Sequence, residues 1–109
     1  MSWTLLPPAD LTAPVSTITI PAQGARLSTT PAHIYGTASD AGGISKVDLQ
    51  LTDLLSGASS WHLGNGTDVF SRSFFGLADN HQYRLVSRAH DKAGNVETPA
   101  SYRNFSVDL

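Results

Sequence analysis

Tyr83, Leu85, Ser87 and Ala89 alternate with Arg84, Val86, Arg88 and His90. A period of two turns one set toward a core and the other toward solvent, which defines a strand with one buried face. Leu77 lies six residues before Tyr83, across a turn-rich approach. That spacing predicts a tyrosine corner, in which a Tyr near the start of a sandwich strand hydrogen-bonds back to the preceding turn. The strand runs out into Asp91-Lys92-Ala93-Gly94-Asn95, a polar loop rich in oxygen atoms.

The rest of the chain repeats this grammar. Residues 15–20 are rich in β-branched side chains and predict a first strand, closed by the Pro21–Gly24 turn. Residues 32–38 predict a second, broken at Ser39-Asp40-Ala41-Gly42-Gly43. In residues 44–52, Val47, Leu49 and Leu51 share one face, and Lys46, Asp48, Gln50 and Thr52 the other. Trp61-His62-Leu63 predicts a short strand or sheet edge after a loop at 53–60. Residues 69–75 carry Phe70, Phe74 and Phe75; residues 102–107 close the domain with Phe105 and Val107 inward. Seven strands with turn signals roughly every 8–12 residues, and no helical period, predict an all-β, seven-stranded Greek-key β-sandwich. Residues 1–14, with Pro7, Pro8 and Pro14, read as an N-terminal linker, and residues 15–109 as the sandwich.

Composition narrows the function. Net charge is −2, and Arg72, Arg84, Arg88 and Arg103 are scattered over separate strands, so no nucleic-acid partner is expected. No apolar run reaches the roughly 18 residues of a membrane span, so no membrane insertion is expected. With no cysteine, the domain relies on its core or on bound ions. No Gly-x-Ser-x-Gly elbow is present, and a sandwich this small fills its own interior, so no enzyme activity is expected. His33, His62, His81 and His90 lack zinc-ligand spacing. Lys46 and Lys92 stand on an outward face and in a loop, which argues against a side-chain isopeptide bond.

The approach to Tyr83 and the strand after it resemble the corner of fibronectin type III and related immunoglobulin-like domains. A wider ordered set runs Thr12-Ala-Pro14, Ile20-Pro-Ala-Gln-Gly24, Gly36-Thr-Ala-Ser-Asp40, Gly43-Ile-Ser-Lys-Val47, Trp61 and Arg88-Ala-His-Asp-Lys-Ala-Gly-Asn-Val-Glu97. Together these resemble the bacterial immunoglobulin-like modules of large surface adhesins and secreted enzymes. The lack of a cysteine pair and the late position of Trp61 set the chain apart from vertebrate immunoglobulin domains.

The resemblance implies that the start of the first strand and the loops after the second and sixth strands share one pole. Those segments carry Asp10, Asp40, Asp91 and Asn95, with Gly42, Gly43 and Gly94 beside them. Such oxygens suit Ca²⁺, which takes 6–8 of them. Asp and Asn are equally the ordinary residues of polar turns. Trp3 and Trp61 admit two readings, packing over the sandwich or stacking on a sugar. The expected function is a non-catalytic spacer or adhesion module of a secreted or cell-surface bacterial protein, with Ca²⁺ as its one candidate cofactor. Its partners would be the neighbouring domains of the same chain and surface carbohydrate or protein, and the isolated domain would be a monomer. The alternative is an accessory carbohydrate- or ligand-binding domain of a secreted hydrolase.

Overall fold

A computed structural model describes residues 12–98 and 100–109. Among these the chain forms nine strands and no helix: β1 (Val15–Ile20), β2 (Ala25–Leu27), β3 (Ala32–Ser39), β4 (Ile44–Asp53), β5 (Ser59–Leu63), β6 (Asn65–Gly66), β7 (Val69–Phe74), β8 (Gln82–Asp91) and β9 (Ser101–Val107). They form two sheets, ordered β1-β3-β7-β6 and β2-β9-β8-β4-β5. Each expected strand segment is present, but the expected count of seven is too low. The added strands, β2 and β6, are three and two residues long. No period can be read from so few residues. Their pairing is fixed instead by position: β2 lies parallel to β9, and β6 antiparallel to β7.

The core lies between the sheets, where the alternation predicts it. Ile18, Ile34, Val47, Leu49, Phe70, Leu85, Ala89, Phe105 and Val107 are all buried, and Leu51 packs at the margin. In β4 the pattern slips once, at a register shift between Ile44 and Lys46, which lets both Ile44 and Val47 point inward. Phe75 departs from expectation. The strand stops at Phe74, and Phe75 is exposed. Gly36 is a position where no side chain fits. A Cβ there would stand 2.6 Å from the Thr17 carbonyl and overlap the Phe70 ring. The glycine leaves the volume that Phe70 fills.

The tyrosine corner is formed. The Tyr83 ring is buried and stacks on Phe105 at 5.6 Å. Its hydroxyl accepts a hydrogen bond from the Ala78 N–H at 2.7 Å. Asn80, at φ 65°, takes the left-handed turn into β8, a conformation that Asn tolerates better than most residues.

Candidate functional site

Two regions carry unusual chemistry, a pole of the sandwich and the outer face of the five-stranded sheet. At the pole, the loop after β3 and the loop after β8 meet through a hydrogen bond from the Lys92 N–H to the Gly43 carbonyl, 3.0 Å. Asp40 turns its own loop by accepting from the Gly42 N–H at 2.9 Å. Asp91 is buried, and its carboxylate accepts from the Asn95 N–H at 2.7 Å and the Asn95 side-chain amide at 2.9 Å. Each carboxylate thus organises its own turn. Asp10 lies outside the described residues, as does Trp3. Among the described residues, no group of three or more His, Cys, Asp or Glu is placed to hold a metal ion.

Beside this pole lies a feature that pattern reading passes over. Glu97 is buried, with 5% of its surface exposed. Its carboxylate accepts from the Ser16 N–H at 2.8 Å, the Ser16 hydroxyl at 2.6 Å and the Ala89 N–H at 3.1 Å. The Ser16 and Ser87 hydroxyls lie 2.7 Å apart, completing the network. The reason is topological. β9 pairs with β8 only as far as Ser87, so at Ala89 the main chain has no β9 partner and is met instead by the segment at Val96 and Glu97. Ser16 sits on β1, an edge strand of the other sheet. One carboxylate satisfies donors from both sheets, and the Glu97 N–H closes the loop onto the Ala89 carbonyl at 2.9 Å. The sequence signal was Glu97 at the end of the Asp91–Glu97 motif, together with two serines on inward-facing strand positions.

The outer face of the larger sheet is organised by register. Trp61 on β5 stands opposite Gln50 on β4, Gln50 opposite Val86 on β8, and Val86 opposite Tyr102 on β9. The four form a transverse row. Trp61 and Tyr102 are 48% and 52% exposed. Arg88 lies over the Trp61 ring at 5.2 Å, and Arg84 over the Tyr102 ring at 5.4 Å. Arg88 and Asp48 were expected to be largely exposed, and both are only partly so. Arg88 lies against the Trp61 ring, with Nε buried. Asp48 is held by His90 at 2.9 Å and Lys46 at 3.6 Å.

The remaining histidines have local partners. His33 Nδ1 lies 2.8 Å from the Ser73 hydroxyl, at an open cleft of about 320 Å³ that also takes in Tyr35, Asn65 and Arg72. His62 meets the Phe74 ring edge-on at 5.1 Å. Burial pushes its pKa down, and the charge of Arg72 adds to that. His81 binds Asp53 at 2.7 Å. Lys46 reaches Asp48, and Lys92 packs on Gly43.

Residues 14–70 match the family model of the bacterial Ig domain. The chain belongs to that family. The fold is shared with an engineered protein of known crystal structure, at TM-score 0.68 and 16% identity, over 88% of this chain and 20% of that one. It is shared also with CopC from Methylosinus trichosporium OB3b, at TM-score 0.64 and 16% identity, over 85% of this chain and 93% of that one. The chain thus spans about a fifth of the engineered protein's length and nearly all of CopC's. Comparison with curated proteins gave no match. In this Ig module the Glu97 network fastens the first strand to the opposite sheet, beside the pole that holds Asp91. The Trp61–Tyr102 row lies on a sheet face, away from the core.

Proposed function

We propose that this Ig module is a non-catalytic spacer or adhesion unit of a larger secreted or cell-surface bacterial protein, built on the Greek-key connectivity of the immunoglobulin fold. In this reading residues 1–14 are the linker and 15–109 the rigid body. The observation that carries it is the Glu97 network. It ties β1 to β8 directly after Pro14, which is itself buried, so that in this reading bending is left to the residues before Pro14 rather than shared with a frayed strand. Small-angle scattering from two copies of residues 1–109 joined in tandem tests this. A fixed, extended spacing is expected; a freely jointed pair refutes the stiff spacer. Ca²⁺ at the pole, received by Asp10, Asp40, Asp91 and Asn95, is a separable part of the proposal. It is supported by the contact between the two loops, and it requires the melting temperature to be higher in millimolar Ca²⁺ than in EDTA. Equal melts leave these residues as turn formers alone.

The transverse row favours a second reading, an accessory ligand-binding domain of a secreted hydrolase, with Trp61 at the binding surface. In a Trp3→Phe variant the remaining Trp61 fluorescence should respond to added polysaccharide. An inert signal across a panel of glycans counts against this reading.

A further inference from the structure

We propose that the outer face of the five-stranded sheet binds an anionic polysaccharide, a glycan whose rings carry carboxylate or sulfate groups. The inference rests on the accessory-domain reading and gives its ligand a chemistry. Three interstrand steps of about 4.8 Å separate Trp61 from Tyr102, so their backbone positions lie roughly 14 Å apart along one row. That span is longer than one sugar ring. It fits an extended chain lying across the strands, with a ring stacked at each end and the Gln50 amide between them to bond hydroxyls. The row is presented by an open sheet face, which suits a polymer rather than a small molecule.

Charge gives the ligand its sign. Lys46, Arg84 and Arg88 share this face with Asp48, and Arg26 and Asp108 pair with each other at its far edge, on a chain whose net charge is −2. Asp48 is already engaged by Lys46 and His90. Arg84 and Arg88 form no ion pair among the described residues. Arg84 has only the neutral Asn104 amide oxygen, at 3.1 Å. Both guanidinium groups lie over a half-exposed ring, at 5.4 and 5.2 Å from its centre. A planar guanidinium with no protein counter-charge pairs well with carboxylate or sulfate oxygens. Packing it against a ring lowers the entropy lost on binding. A ring for stacking and a cation for pairing thus recur at both ends of the row.

Isothermal titration of the full chain with polygalacturonate, dextran sulfate, neutral xylan and an oligo(dT) single strand tests the proposal. Polygalacturonate or dextran sulfate should bind, and the tighter of the two names the anionic group. Binding should weaken in high salt. Trp61→Ala and Arg88→Gln should each weaken it about tenfold or more. Trp61→Phe, which keeps a ring, should retain most of the affinity, and Lys92→Gln, which removes one exposed charge from the loop after β8, off the sheet face, should change nothing. Urea denaturation of each variant confirms that it is folded. Binding to xylan alone would overturn the anionic ligand and leave the accessory-domain reading standing. Silence with every glycan would overturn both. Equal affinity for oligo(dT), or indifference to Trp61→Ala in a folded variant, would assign the binding to charge alone and overturn the site.

Discussion

Replacing Glu97 by Ala should be the most damaging single change outside the apolar core. The substitution removes the acceptor for three hydrogen bonds. The Ser16 hydroxyl keeps the Ser87 hydroxyl as a partner, at 2.7 Å. The Ser16 and Ala89 N–H groups are left in a buried site with nothing to bond. Each orphaned donor costs about 1–3 kcal/mol, so the loss should be about 4 kcal/mol. A small domain has about 5–15 kcal/mol in total. With m of about 1.3 kcal/mol/M in urea, the midpoint should fall by about 3 M. Glu97→Gln separates acceptor chemistry from volume. Whichever way the amide is turned, its NH₂ faces one of the donors that the carboxylate accepted from, so the cost should be about half that of Ala. Urea denaturation followed by near-ultraviolet circular dichroism reads both. A midpoint shift below about 0.5 M for Glu97→Ala, at unchanged m, would refute the claim that the carboxylate fastens the two sheets.

Tyr83→Phe keeps the stacked ring and leaves the Ala78 N–H unpaired; thermal denaturation should register a loss of about 1 kcal/mol. Gly36→Ala should cost about 1–3 kcal/mol, because the new methyl meets the Phe70 ring and the Thr17 carbonyl; an unchanged melt would show that the two strands can part there. The hydrogen bond from His81 holds the Asp53 carboxyl below its ordinary value near 3.8, against a smaller desolvation effect and with help from the Leu55 and Ser56 N–H groups. A carboxyl depressed in the folded state contributes stability that is full above the unfolded value and is lost as pH falls through the folded one. The melting-temperature gap between the wild type and Asp53→Asn should therefore be constant at neutral pH and close below about pH 3.8; a gap that holds to lower pH contradicts the assignment.

The long strands were legible because their burial alternates. Val47, Leu49, Leu85, Ala89, Phe105 and Val107 lie inside, as their period requires, and the Leu77–Tyr83 spacing marked the corner. β2 and β6 were not, since segments of three and two residues are set by the strand beside them rather than by their own pattern. Glu97 was visible as a motif residue but not as a buried one. An acid four residues after Ala93 reads as a solvated loop until β9 is seen to leave β8 early. The Trp61–Tyr102 row depends on the registers of three strand pairs at once, and a slip of one residue in any of them would scatter it. Asp40 and Asp91 were placed on loops that meet, as the topology implied, yet each carboxylate serves its own turn.

The parallel pairing of β2 with β9 bears on how such a module responds to tension. β1 starts at the pole that holds Asp40 and Asp91, and β9 ends at the opposite one, beside Asn80 and His81. A pull on the two ends therefore drags β2 and β9 in opposite directions along their common axis. The main-chain bonds linking Ala25–Leu27 to Phe105–Val107 are then strained together instead of one after another, as they would be if the strands were peeled apart. The Glu97 carboxylate stands in series with that patch at the other pole, holding Ser16 against Ala89. Elements in series each carry the full load, so the chain would begin to lengthen when the weaker of the two gave way, and three residues too short to show a pattern take part in setting that limit.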